Sequence, residues 1–313
     1  MPTMPLIEQA PGLLLRGIDG SNPLGFLAAV GTLRIVTGAS SPPDWRLRWQ
    51  LHEGTWTPEL LGTERFSEDG LVELLMPHLT KAQNRAALKF AADLKVSCGR
   101  FRTVTEKAQS AAMPAEREDA DFVAAFGCES VPISDKDPTI RDTAFRTMSG
   151  AGHQHFLGSM LELVQDTVSD HLHASLFRPW QYSDERPSLR WDPVDDRRYA
   201  LRWRNPSGDT VRTMRGANRL AVEALPLFPT APVNRRLLTT GFSQRRGEGT
   251  RFTWPIWHGP SSVDVVRSML SLGELQEPRP DRGRLSAMGI VEVYRSERIT
   301  NGKYRNFTAA TAA

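Results

Sequence analysis

With 313 residues, 40% of them hydrophobic and 24% charged, the chain can bury a sizeable core without disulfide or metal staples, as one large domain or two lobes. No apolar run reaches the roughly 18 residues that cross a bilayer, Met1 to Pro11 has neither the basic start nor the apolar core of a secretory signal, and Cys98 and Cys128 make neither a disulfide framework nor a CxxC zinc pair, so the expectation is a reduced, cytoplasmic protein with no membrane partner. The net charge of +3 conceals an uneven distribution: from Leu176 onward 22 Arg and one Lys stand against 14 acids (net +9), whereas the first 175 residues carry 16 basic side chains against 22 acids (net −6).

Leu13 to Arg16 reads as a short strand running into the turn Gly17-Ile18-Asp19-Gly20. Ser21 and Asn22 are good caps and Pro23 suits a first helical turn, so a helix is predicted over 23–37. It is apolar nearly all round and therefore buried. Gly25, Ala28, Ala29 and Gly31 let another backbone approach it, and Gly38 with Pro42-Pro43 ends it. Trp45 to Leu51 and Thr55 to Leu61 alternate as a half-buried antiparallel pair does, with Trp45, Leu47, Trp49 and Leu51 on the inner face. A helix is predicted from Asp69 to about Leu94, kinked or interrupted at Pro77. Along it Lys81, Arg85 and Lys89 recur every four residues as one basic stripe. A short helix is expected around Asp119 to Phe126, and a longer one from Gln154 to about Leu176 with Phe156, Leu157, Met160, Leu161, Val164, Val168 and Leu172 on its apolar face.

Beyond Leu176 the pattern is rich in strands, over Leu189–Trp191, Tyr199–Trp203, Leu237–Phe242 and Arg251–Trp257, with helices over Arg215–Leu225 and Val263–Leu272. The elements together make an α+β fold of mostly antiparallel sheet with packed helices. The charge division marks an acidic N-terminal lobe, 1–175, and an Arg-rich, strand-rich C-terminal lobe, 176–313.

An Arg-rich half with Trp scattered through it is the footprint of a surface that holds phosphates and stacks on bases, although GC-rich coding yields the same composition. The guanidinium fork pairs with phosphate oxygens bidentately and stacks on rings, which lysine does not do. The sharpest local signal is Asn301-Gly302 between β-prone residues, a strong hairpin cue. A two-residue loop there pairs Thr300 with Lys303 and Arg298 with Arg305, and sets Arg298, Lys303 and Arg305 on one face with Phe307. Like charges opposed in this way cost up to about 1 kcal/mol unless an anion lies between them. A ribbon of that width can track a phosphate backbone or enter a groove; the competing reading is a solvated terminal hairpin.

Arg215-Gly216-Ala217-Asn218-Arg219 opens a helix, where backbone N–H groups and the guanidinium groups of Arg215 and Arg219 can converge on a phosphate, with Asn218 between them. Arg245 and Arg246, followed by Gly-Glu-Gly, form a basic loop tip. Lys81, Arg85 and Lys89 are candidate backbone contacts, weighed against an ordinary solvated helix face. Trp254 and Trp257 fit a core better than a stacking platform. His153-x-His155 and His171-x-His173 bracket one predicted helix about 27 Å long, so a single metal cannot draw ligands from both ends. Gly150-Ala151-Gly152 lacks the Lys-Ser/Thr of a phosphate-binding P-loop. With no nucleophile motif and no carboxylate cluster, the chain does not read as a catalyst, and no metal or other cofactor is expected.

Gly17-Ile18-Asp19-Gly20-Ser21-Asn22-Pro23-Leu24-Gly25-Phe26-Leu27-Ala28-Ala29-Val30-Gly31, followed by the strands bearing Trp45, Trp49 and Trp56, resembles the start of CRISPR-associated proteins of type I-U (type I-G) loci. Leu189-Arg190-Trp191-Asp192-Pro193, Arg215 to Arg219, Ala224-Leu225-Pro226-Leu227-Phe228-Pro229 and Thr253-Trp254-Pro255-Ile256-Trp257 look like the same group. The resemblance implies a large-subunit-like, non-catalytic component of a crRNA-guided surveillance complex (Cascade). Such a subunit reads the protospacer-adjacent motif on double-stranded target DNA, helps open the duplex and docks the helicase-nuclease, beside crRNA-bound backbone subunits; guide pairing reads the rest. The chain is short for a large subunit and shows no C-terminal helical bundle. A crRNA-gripping subunit, a protein adaptor of the same effector, and a metal-dependent nuclease using His153 and His155 are the rival expectations.

Overall fold

A computed structural model describes residues 12–39, 44–63, 66–111, 117–148, 155–195, 212–244, 249–301 and 304–313. The first half runs β1 (Leu13–Leu14), α1 (Pro23–Ala39), β2 (Arg46–His52), β3 (Thr55–Leu61), α2 (Glu68–Lys81), α3 (Cys98–Ala111), α4 (Glu118–Phe126), β4 (Gly127–Ser134), β5 (Asp137–Asp142), α5 (Phe156–Asp166) and α6 (Ser169–Phe177). The second half runs α7 (Arg215–Val222), β6 (Thr230–Val233), β7 (Arg236–Thr239), β8 (Phe242–Gln244), β9 (Thr250–Trp257), α8 (Val263–Leu270), α9 (Arg282–Ala287), β10 (Ile290–Asn301), β11 (Tyr304–Phe307) and β12 (Thr311–Ala312). The fold is α+β with antiparallel sheet and packed helices.

Asn22 starts α1 in the expected way, its Oδ1 accepting the Leu24 and Gly25 amides at 2.8 and 3.3 Å. Every residue from Pro23 to Leu33 is buried, so this helix is apolar all round because it has no solvent face over that span. Gly31 is where its backbone meets α7: a Cβ there would lie 2.1 Å from the Leu220 carbonyl oxygen. Gly31→Ala must push the two helices apart, and an overpacked core loses about 1–3 kcal/mol. Urea melts should show that loss; an unchanged midpoint would mean that the contact is easily relaxed.

β1, β3 and β2 form one antiparallel sheet, and β11, β10, β9 and β8 form another, with β12 also on β10. The sheets are joined by a backbone pair between Leu47 and Ser261 (2.9 and 3.0 Å). Two buried indoles reinforce the junction, Trp257 donating to the Leu47 carbonyl and Trp254 to the Gly20 carbonyl, each at 2.8 Å. Phe26 of α1 stacks on Trp49 with ring centroids 5.9 Å apart, and Trp254 and Trp257 close around it. These tryptophans are therefore core residues, as their sequence context predicts. The acidic and Arg-rich halves meet at the end of α6, and their buried side chains form one cluster running from Leu15 to Phe307.

Several expected elements differ. The helix predicted from Asp69 to Leu94 passes through Pro77 but stops at Lys81 and gives way to short tight turns, with Arg85 extended at φ −59°, ψ 130°. The predicted helix after Gln154 is two helices, broken where Thr167 and Val168 are extended; Val168, assigned to the apolar face, is exposed. Leu51 likewise leaves the inner face at the end of β2. Leu189–Trp191 forms no strand: Arg190 takes φ 58°, and the segment is held by the Leu189 amide on Asn218 Oδ1 (2.9 Å) and the Trp191 indole on the Phe145 carbonyl (2.9 Å). Tyr199–Trp203 lies outside the described residues.

Candidate nucleic-acid interface

The C-terminal hairpin forms, with its pairing shifted by two residues from expectation. Asn301 pairs with Tyr304, Thr300 with Arg305 and Arg298 with Phe307. The alternation of a strand still puts Arg298, Arg305 and Phe307 on one face. That face turns inward, with Phe307 fully buried and Arg298 forming one wall of a cleft of about 750 Å³.

Four arginines line this cleft: Arg141 from β5, Arg236 from β7, Arg298 from β10 and Arg305 from β11. Asp142 is the one carboxylate among its described lining residues, and it is engaged by Arg146. Three of the arginines are held by main-chain oxygens. Arg141 donates to the carbonyls of Pro132 and Ile133 at 3.0 and 2.9 Å, Arg298 to that of Ala144 at 2.5 Å, and Arg305 to that of Arg146 at 3.5 Å. Carbonyls orient a guanidinium without neutralising it. Arg236 is exposed, and its guanidinium has no ion pair or hydrogen bond among the described residues.

Arg298 shows the consequence. Burial, and then the neighbouring charge of Arg305, pull its guanidinium down to about 10, against a smaller opposing effect of Asp142. Its buried Nε–H has no acceptor. A cleft with four arginines and, among the described residues, no uncommitted carboxylate and an unpaired guanidinium donor is suited to an oxyanion, above all a phosphate that two planar forks can share.

The other expected contacts divide into three sets. Lys81 and Lys89 are exposed, but Arg85 turns away from them into the protein, so the single basic stripe does not form. Arg85 and Arg219 are interior residues gathered on Glu223 of the α7 C-terminus. Glu223 accepts Arg85 Nη1 and Nη2 at 2.5 and 2.8 Å, Arg219 Nη1 at 2.7 Å and Arg34 Nη1 at 3.1 Å. Arg85 also reaches Glu118 at 2.6 Å and lies 4.2 Å above the Phe122 ring. Burial by itself would raise Glu223, but Arg85, Arg219 and Arg34 more than reverse this and hold its carboxyl well below the usual carboxylate range. Asn218 is fully buried and spends its amide on Leu189, Thr213 and Met214.

The α7 N-terminus is filled from within the chain rather than open to a phosphate. The Arg215 amide donates to Asp184 Oδ2 at 2.8 Å, and a Cβ on Gly216 would lie 2.1 Å from the His171 carbonyl oxygen. The Arg215 guanidinium clamps the carbonyls of Arg186 and Asp166 at 2.6 and 3.4 Å. Arg215→Ala is accordingly expected to lower the thermal midpoint, by the roughly 1.5–3 kcal/mol that a charged hydrogen-bonding group supplies, with no change in nucleic-acid affinity. A binding defect with an unaltered midpoint would assign Arg215 to the interface instead.

Arg245, Arg246 and Lys303, together with His153 and Gly150–Gly152, lie outside the described residues. His155 precedes α5, while His171 and His173 belong to α6 and lie 3.6 and 3.3 Å from Asp184 and Asp69. Among the described residues no group of three or more His, Cys, Asp or Glu side chains has the geometry to hold a metal. None of the described helices is long and apolar enough to cross a membrane. Sequence reasoning missed Arg141 and Arg236, which reach the cleft from separate hairpins; the basic turn Asn234-Arg235-Arg236 was the available signal. No protein-family model matches this chain, and no curated protein matches it.

Proposed function

We propose that the protein is a non-catalytic nucleic-acid-binding subunit, and that its ligand is target DNA within a type I CRISPR surveillance complex. The observation that carries this reading is the arginine cleft: Arg141, Arg236, Arg298 and Arg305 converge with no uncommitted carboxylate among the described residues. Such a site seats backbone phosphate and fixes register, while base edges are read by neighbouring side chains. The CRISPR assignment draws on the phrases around Gly17–Gly31, Leu189–Pro193 and Thr253–Trp257. In that setting the subunit contributes to recognition of the protospacer-adjacent motif, to duplex opening and to recruitment of the helicase-nuclease, leaving guide pairing to read the remaining sequence.

Reconstitution tests the assignment. Assemblies of crRNA with the backbone subunits of the same locus should bind a single-stranded target with or without this chain, but should capture duplex target only when it is present. Equal duplex capture in its absence would refute the role. Loss of crRNA itself from the assembly would make the chain a guide-gripping subunit instead.

A further inference from the structure

A second cationic surface lies apart from the arginine cleft. The turns that follow α2 and one face of α3 enclose a groove of about 560 Å³. Lys81 and Lys89 stand on one side of it and Arg100 and Lys107 on the other; all four are exposed and have no ion pair among the described residues. Between them the wall is apolar, built from Phe90, Val104, Ala108 and Ala111. On α3 the positions Arg100, Val104, Lys107, Ala108 and Ala111 follow helical spacing, so one face about 16 Å long alternates charge and hydrocarbon.

The described acids at the rim form no ion pair with these cations. Glu118 is committed to Arg34 and Arg85, and Asp119 Oδ1 accepts the Ala86 amide at 3.0 Å. Arg85, which also lines the groove, is paired with Glu223 and Glu118 through its two terminal nitrogens. Among the described residues the groove therefore presents four cations without an ion pair, against the single unpaired charge of Asp119, around a greasy floor.

We propose that this groove docks an acidic amphipathic helix of a partner protein, with two or three apolar side chains on α3 and flanking carboxylates on Lys81, Lys89, Arg100 and Lys107. The charge complementarity selects an anionic ligand, and the apolar floor selects a peptide over a nucleic acid. A phosphodiester chain gains nothing from Val104, Ala108 and Ala111, and the aromatic ring in the wall, Phe90, is buried against Phe101 rather than offered to a base. An apolar seam with a charged rim is also how helices are held in grooves generally. This inference does not depend on the nucleic-acid reading of the arginine cleft.

The test uses the full chain and a fluorescein-labelled helical peptide in which leucines at helical spacing are surrounded by aspartate and glutamate. Saturable binding is expected, weakened about tenfold or more, equivalent to about 1.4 kcal/mol, both by Lys89→Glu/Lys107→Glu and by serine in place of the peptide's leucines. Lys89→Gln/Lys107→Gln should give an intermediate loss, Arg236→Glu/Arg305→Glu none, and an unlabelled oligothymidylate should not displace the peptide. The exposed positions of Lys89 and Lys107 leave the fold intact, which unchanged thermal midpoints will verify. The proposal is overturned if no saturable binding occurs, if the serine peptide binds as well as the leucine peptide, or if oligothymidylate displaces the peptide and binds through the same lysines. The last result would make the groove a nucleic-acid path.

Discussion

Glu223→Gln is expected to destabilise the protein by about 3–5 kcal/mol, the cost of leaving a buried charge without its partner. Glu223 sits at 1% side-chain exposure with Arg85, Arg219 and Arg34 gathered on its two oxygens, and Arg219 is itself fully buried. The amide keeps the shape of the side chain but removes the negative charge that three guanidinium groups share. The cluster also ties α1, α7 and the turns after α2 to one another, so its loss is felt across the core. The pH dependence follows in sign. Because Glu223 is held below its ordinary value when folded, its stabilisation is complete above the unfolded-state pKa, about 4.3, and is lost as pH falls toward the lower folded value. Wild-type stability should therefore decline in acid more steeply than that of Glu223→Gln. Chemical melts at neutral pH decide the matter: a loss within about 0.5 kcal/mol, typical of an ordinary surface change, would show that hydrogen bonding alone accounts for the cluster.

Arg236→Glu/Arg305→Glu should abolish most nucleic-acid affinity with little change in stability. Arg236 is exposed and Arg305 makes a single long contact to a carbonyl, so neither holds the fold together. Each phosphate contact removed should lower the slope of log affinity against log salt by about 1, and the double reversal should weaken binding roughly a hundredfold near 0.1 M salt. Arg298→Gln should act differently. It removes a buried cation that carbonyl oxygens orient but no carboxylate neutralises, so affinity falls while stability is kept or rises. Filter binding and thermal melts on the same preparations separate the two effects.

The phrases that carry the resemblance turn out to be packing. Gly20 receives the Trp254 indole, Asn22 donates to Asp192 at 3.2 Å, Asn218 holds the Leu189 amide and Gly31 lies against Leu220. They meet in one buried scaffold. That is why α1, β2, β3 and β9 could be read with bounds close to those observed: periodicity and caps record burial directly. Function left a weaker trace. The four arginines of the cleft come from β5, β7, β10 and β11, and no spacing along the chain marks residues brought together by separate hairpins. Arg85 was misread for the opposite reason. Its spacing from Lys81 and Lys89 is helical, yet its conformation is set by Glu223, 138 residues further on. α3 escaped notice because only Phe101 and Ala108 are buried along it, too few to establish a period, while its Arg100 and Lys107 serve the groove rather than the core.

The central claim is that the arginine cleft holds nucleic-acid phosphate. Equilibrium binding of labelled duplex DNA, single-stranded DNA and RNA of one sequence, across a salt series from about 50 to 300 mM, for wild type and Arg236→Glu/Arg305→Glu, tests it most directly. Tight duplex binding that falls steeply with salt is expected of the wild type, and a shallower, far weaker isotherm of the variant. Feeble binding of all three ligands, or identical isotherms for the two proteins, would contradict it and turn the cleft into a site for some other anion.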